Sequence, residues 1–180
     1  MLKNLVYLFF AALMIVACNS AKKSDFVTLT VEEFDQKCPE LVDQNIEISG
    51  TVVHVCKHGG KRLFLIGSDS AYRIEVTTGE KLAAFNPEME GSEITINGKV
   101  HELRIDEAYL TQWENEVRAG TGDQESDLKV HDGAEGHEHN EGAEGQFAQI
   151  QNFRDQIKAA GSDHISLYSV IAESFKIKEN

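Results

Sequence analysis

Three side chains that can hold a soft metal alternate along HVCKHGGKR, residues 54 to 62: His54, Cys56 and His58. On an extended strand alternate side chains share a face, about 6.6 Å apart. Imidazole and thiolate are ligands for zinc and copper, and bond lengths of about 2.0–2.3 Å let two of them converge, a third requiring the turn that follows. No second C-x-x-C or H-x-x-x-H completes the set. Zinc or copper is therefore the one cofactor these residues suggest. Cys56 has two other uses. It can pair with Cys38, 18 residues upstream, where Cα atoms must come within about 5.5 Å and a bridge contributes about 3 kcal/mol in the chain-entropy account. Left unpaired, it can serve as the nucleophile of a thiol-dependent enzyme. All three uses fit the residues.

The turn after this strand is basic. Lys57, Lys61 and Arg62 surround Gly59 and Gly60 in a chain where 30 Asp and Glu outnumber 17 Lys and Arg. They form either an anion- or partner-binding lip or a solvated hairpin tip. No aromatic platform accompanies the cations, which argues against single-stranded nucleic acid, and Phe64 and Tyr72 are expected to pack inside or across strands. A second ligand-rich stretch, HDGAEGHEHNEGAE (131 to 144), mixes His131, His137 and His139 with five acids and repeats GAEG. Such a tract captures divalent metals loosely and lacks the apolar residues needed to fold. No G-x-S-x-G, C-x-x-C, H-E-x-x-H or phosphate-cradling loop occurs. No residue is assigned a catalytic role, and His101 and His164 are expected to be structural.

The N-terminal end places the chain. Lys3 precedes an apolar run from Leu5 to Val16, and about 12 apolar residues fall short of the roughly 20 that span a bilayer. A basic start, a short apolar core and a small residue before a cysteine describe a signal peptide. Ile15, Val16, Ala17 and Cys18 resemble the lipobox of bacterial lipoproteins. That resemblance implies lipidation of Cys18, removal of residues 1–17 and an anchored chain in an oxidising compartment. Asn19 rather than Asp follows the cysteine, which by resemblance to the sorting rule implies the outer membrane, facing the periplasm. Removing residues 1–17 takes away one Lys and no acid, so the net charge moves from −13 to −14. A domain this acidic is repelled by phosphate backbones and anionic headgroups. Nucleic acid is excluded as an expected partner, leaving an envelope protein or a small ligand beside the membrane itself.

The elements that position HVCKH follow from periodicity. Thr30 and Glu33 match a capping box, and Val31, Phe34, Cys38 and Leu41 fall on one helical face ended by Pro39. IEISGTVVHVCKH is a strand whose apolar parity changes after Gly50, so a bulge is expected near Gly50 to Val52. RLFLIG and YRIEVT are two more strands. TGEKLAAFNPEME is a short helix or loop ended by Pro87, and SEITINGKVHELRI is a fourth, long strand bent at Gly98. LYSVIAESFKIK, apolar on both faces at its start, reads as a central fifth strand. Between the fourth and fifth strands Asp106 caps a helix with Tyr109, Leu110, Trp113 and Val117 on one face. A second helix aligns Phe147, Ile150, Phe153 and Ile157 and stops at Gly161.

The helix before the first strand, the pattern Ile46, Ile48, Gly50, Val52, and the pattern Ile96, Gly98, Val100 resemble the OB-fold. More closely they are similar to the anticodon-binding-like OB domains of small bacterial envelope proteins. The fold expected is β with helices: a five-stranded OB-like barrel, an N-terminal helix and a two-helix insertion between strands 4 and 5. The expected layout is a signal peptide at 1–17, a tether at 18–26 and the OB-like domain at 27–180, with the insertion at 106–162 carrying a disordered His/acidic loop at 119–145. OB barrels bind ligands at one end, which points to a non-enzymatic binding module using the His54–Arg62 end, partly covered by the insertion.

Overall fold

The computed structural model of the chain describes residues 26–57, 59–121 and 142–178. Strand β1 (Val27–Leu29) leads into α1 (Val31–Lys37). The capping box forms: the Glu33 N–H donates to Thr30 Oγ1 at 3.2 Å and the Thr30 N–H to Glu33 Oε2 at 3.0 Å. Pro39 ends α1 by tightening the next turn into a 3₁₀ helix, Cys38–Glu40. There follow β2 (Asn45–Val55), β3 (Arg62–Ile66), β4 (Arg73–Thr78) and β5 (Glu93–Asp106). Then come α2 (Glu107–Arg118), α3 (Ala143–Ala160) and β6 (His164–Ile177).

The expected five strands are β2 to β6, and they close on themselves. β2 pairs antiparallel with β3, β3 with β4, β5 with β6 and β2 with β5, while β4 and β6 run parallel. The circuit β2-β3-β4-β6-β5-β2 is a closed barrel. It is OB-like. β1, which periodicity did not reveal because three residues are too few to show any, adds parallel to β2 at Ile46–Ile48.

Alternation builds the interior. Ile46, Ile48, Val52, Val55, Leu63, Leu65, Val76, Ile94, Ile96, Val100, Val170 and Ala172 have no exposed surface, and Val31, Phe34 and Cys38 of the α1 stripe join them. Each fully buried aliphatic side chain of this kind contributes about 1.5–3 kcal/mol. The parity change in β2 lies later than expected. Burial alternates without a break through Gly50 to Val52, and the register slips between Val52 and His54, leaving Val53 as the extra residue. Gly50 has a different reason to be glycine: a Cβ there would sit 2.7 Å from the Ile66 carbonyl oxygen and 3.1 Å from a Val31 methyl. At Gly98 the register of β5 against β6 does shift, the extra residue being Glu173 on β6. Of the short helix or loop expected before Pro87, the loop is what forms, and Pro87 ends it by starting a 3₁₀ turn, Pro87–Met89.

A second core sits on the distal half of the β5–β6 ribbon. Leu110, Trp113 and Val117 of α2 and Ile150 and Phe153 of α3 close over Leu103, Ile105, Ile165 and Leu167. The buried Trp113 Nε1–H donates to Gln146 Oε1 at 3.0 Å, which satisfies the indole where water is excluded. Asp106 caps α2 by accepting from the Tyr109 N–H, and Gly161 ends α3 in the left-handed conformation at φ 63°. α3 begins at Ala143, earlier than the expected loop limit of 145. The expected signal peptide, Cys18, the expected tether to residue 25 and the His-rich segment 122–141 lie outside the described residues. Among those described, no helix is long and apolar enough to cross a membrane.

α1 is tied to the barrel by one carboxylate. Glu32 Oε1 accepts from Ser68 Oγ at 2.9 Å and from the Asp69 N–H at 3.1 Å, and the Asp69 amide is the main reason its pKa falls from 4.5 to about 2. A carboxyl depressed by folding stabilises above its unfolded pKa and loses that contribution as the pH falls through the folded one. Wild type should therefore lose stability between pH 4.5 and about 2 in a step that Glu32→Gln removes, measured by urea midpoints across that window. Gly98→Ala should cost about 1–3 kcal/mol, read from the denaturation midpoint at neutral pH, because its Cβ would meet the Ile171 carbonyl oxygen at 2.5 Å and a Val170 methyl at 2.8 Å.

Candidate functional site

The outer face of β2, β3 and β4 gathers most of the residues singled out by chemistry. The inward parity of β3 is Leu63 and Leu65, so Arg62, Phe64 and Ile66 point out. Register sets His54 opposite Phe64 and Phe64 opposite Glu75. Phe64 nonetheless keeps only 4% of its surface exposed. The His54 ring stacks near it at 6.2 Å between centroids and 23° between planes, and the Arg73 guanidinium lies 5.8 Å from its ring centre. A cation over an aromatic face at this range is worth about 0.5–1 kcal/mol at an accessible site. Phe64 thus packs across strands, as its sequence context indicates, and holds two nitrogen-bearing side chains at the surface.

Several polar groups around it are paired. His54 Nδ1 is 3.4 Å from Glu90 Oε1, and the same oxygen accepts from the Val55 N–H at 2.8 Å, so Glu90 pins the bulged end of β2. Arg62 Nε lies 3.6 Å from Glu75 Oε1, both side chains three-quarters covered. Burial raises the Glu75 pKa, with Arg62 opposing it. Lys61 Nζ donates to the Ala83 carbonyl at 2.7 Å and so holds the loop before β5 against the hairpin. Lys57 is exposed at the turn. Lys57, Lys61 and Arg62 therefore do not form one continuous lip: one is at the tip, one braces a loop and one sits on the face beside Glu75.

The two cysteines are not brought together. Both are free, and the expected bridge is absent for a plain reason of facing. Cys38 lies in the barrel core, 2% exposed, its Sγ 3.6 Å from the Asp35 carbonyl. Cys56 follows the inward Val55 and so lies on the outward parity, where its N–H donates to the Arg62 carbonyl and closes the hairpin. Burial, then the charge of Asp35, pushes the Cys38 thiol up to about 11. Burial likewise raises Cys56, against the pull of Arg62. A nucleophilic thiol needs a shift in the other direction.

Of the proposed metal ligands, His58 lies outside the described residues. His54 and Cys56 turn to different neighbours, Glu90 for the first and the Arg62–Glu75 pair for the second. Among the described residues no group of three His, Cys, Asp or Glu is placed to hold a metal ion. The helical insertion is also placed differently from expectation. β2 pairs with the Glu93 end of β5 while α2 leaves from its Asp106 end, so the helices sit at the opposite end of that strand from the His54–Arg62 hairpin. Sequence reasoning missed Arg73, Glu75 and Glu90. Alternation along β3 and β4 was the signal that put Arg73 and Glu75 on the face of Arg62 and Phe64, whereas Glu90 comes from a loop with no period.

No protein-family model matches the chain, and no curated protein matches it. Among solved structures the chain is similar to a Leishmania major Friedlin protein described as an aspartyl-tRNA synthetase, with 18% identity and a TM-score of 0.30 over 56% of this chain. The match spans 21% of that protein's length.

Native-state thiol labelling should modify Cys56 and spare Cys38, as peptide mapping by mass spectrometry would show. Because both thiols are raised, the Cys56 rate should still be climbing at pH 9. A rate that levels off near neutral pH would contradict the raised Cys56 pKa.

Proposed function

We propose that this chain is a lipid-anchored envelope protein whose OB-like barrel is a non-enzymatic binding module, and that its binding surface is the outer β2–β3–β4 face with the adjoining hairpin. One observation carries the choice of surface. From Gly50 to Ser68 there is no acidic residue in a chain with 30 of them, and Lys57, Lys61 and Arg62 fall there, with Arg73 added from the neighbouring strand. Cations spread over one face of an acidic molecule, with Glu75 and Glu90 the acids that meet Arg62 and His54 there, leave that face less negative than its surround. That field suits a small ligand carrying carboxylate or phosphate, or an acidic side chain of an envelope partner, and disfavours a long polyanion, which the remaining surface repels. Two raised thiols fit binding better than thiol chemistry.

The location rests on residues 1–19. A short apolar run ending in Ile15-Val16-Ala17-Cys18 is the basis for lipidation at Cys18, and Asn19 after it is the basis for attachment to the outer membrane facing the periplasm.

One experiment addresses both parts. In cells expressing the full chain, the protein should fractionate with membranes, and Cys18→Ser should move it to the soluble fraction. With that soluble form, citrate should shift the backbone amide resonances of Cys56 to Leu63 and of Arg73 in a saturable way. Lys57→Glu should weaken the binding about two- to fivefold, the worth of one exposed ion pair of about 0.5–1 kcal/mol. Shifts spread evenly over the barrel, or an unchanged affinity in Lys57→Glu, would remove the face as the site. Membrane association that survives Cys18→Ser would remove the lipid anchor.

A further inference from the structure

β6 is paired unequally on its two edges. Along one edge it matches β5 from Asp106↔His164 to Ile94↔Ile177. On the other it meets β4 only at Val76↔Val170, Thr77↔Ile171 and Thr78↔Ala172. From His164 to Ser169 that second edge has no strand beside it among the described residues. β4 is in the same state: it pairs with β3 from Arg73 to Thr77, and its edge toward β6 is unpaired before Val76. Every second residue of a strand turns its N–H and C=O to a given edge. A row of such groups is a template for another extended chain.

The side chains flanking this opening limit what can enter. Ile165 and Leu167 face the helical pair, so the alternate residues Ser166 and Tyr168 face the other way. Tyr168 and, just before β4, Tyr72 pack against the barrel core to which the buried Ile74 belongs. On the outer face Arg73 is exposed. An added strand would turn one set of side chains toward Tyr72, Ile74 and Tyr168 and the other set toward Arg73. Apolar residues suit the first set and acidic residues the second.

We propose that the bare edge of β6, His164 to Ser169, receives an extended polypeptide segment of alternating apolar and acidic residues, which joins the barrel wall as an additional strand. The main-chain bonds supply adhesion, and Tyr168 and Arg73 select the sequence. Arg73 borders both this site and the surface proposed above, and protection of the His164 to Ser169 amides reads the edge site alone.

The test uses the full chain and a blocked eight-residue peptide alternating Val and Glu. A second peptide of the same composition, with N-methylated residues at every other position, removes the donors a strand needs. Amide hydrogen exchange should slow about tenfold between His164 and Ser169 with the first peptide and stay unchanged with the second. Arg73→Glu should weaken the first peptide about tenfold, while a Val and Lys peptide should bind that variant better than it binds wild type. Slowing confined to Cys56–Leu63, equal effects of both peptides, or no slowing between His164 and Ser169 would overturn the proposal. Should Arg73→Glu disturb folding, Tyr168→Ser read by the same exchange supplies the second variant, with weaker protection expected and unchanged protection overturning the selection by Tyr168.

Discussion

Closure of the barrel depends on three consecutive pairs between parallel strands, Val76–Thr78 against Val170–Ala172. Without them β2 to β6 would be an open, curled sheet with its apolar interior exposed along one side. Parallel neighbours cannot be joined by a tight turn, so the chain travels through the loop before β5, all of β5 and two helices before it returns. The entropy of such a long excursion rises only slowly, by about 0.6 kcal/mol per doubling of a flexible loop. Most of the excursion is not flexible in any case. β5 and β6 stay in register out to Asp106 and His164, so the ends of the insertion are held side by side, and the helices need only close a small core over a ribbon that already exists.

This arrangement separates two jobs. The barrel core, from Leu29 to Ala172, is independent in composition from the cluster around Trp113, and the ribbon is their shared wall. Facing apolar residues hold the helical pair to the ribbon, and ion pairs decorate its rim: Arg154 reaches Glu107 at 2.7 Å and Glu114 at 2.9 Å. Glu107 is exposed whereas Glu114 and Arg154 are mostly covered, and pairs at such a rim contribute little by themselves. Substitutions in the insertion should therefore be felt first in the helices, while the hairpin of Cys56 to Lys61 stays coupled to the barrel through Glu90 and the Ala83 carbonyl.

Much of this architecture was legible in the sequence because the relevant signals are local and periodic. The capping box at Thr30, the N-cap at Asp106, the stop at Gly161 and the alternation in β2 and β5 each state a backbone requirement that one or two residue types meet. What escaped was non-local or aperiodic. β1 is three residues long. The bulge belongs at Val53 rather than beside Gly50, because the glycine answers to Ile66 on the neighbouring strand and Val31 on α1, which no period along β2 reveals. The cysteine pairing looked natural from spacing alone, yet facing decides it, and the parity of Cys56 is set by that same bulge. At the candidate face the sequence marked His54, Cys56, Lys57, Lys61 and Arg62, whereas their partners Glu75 and Glu90 arrive from separate parts of the chain.

The chain has one tryptophan, and it is 1% exposed in the smaller of the two cores. Its intrinsic emission is consequently a spectroscopic reporter on the helical pair alone. Optical melting followed at the indole and melting followed by far-ultraviolet dichroism, to which the strands also contribute, interrogate different halves of the molecule. Any gap between the two curves measures how far the ribbon makes them unfold as one cooperative unit.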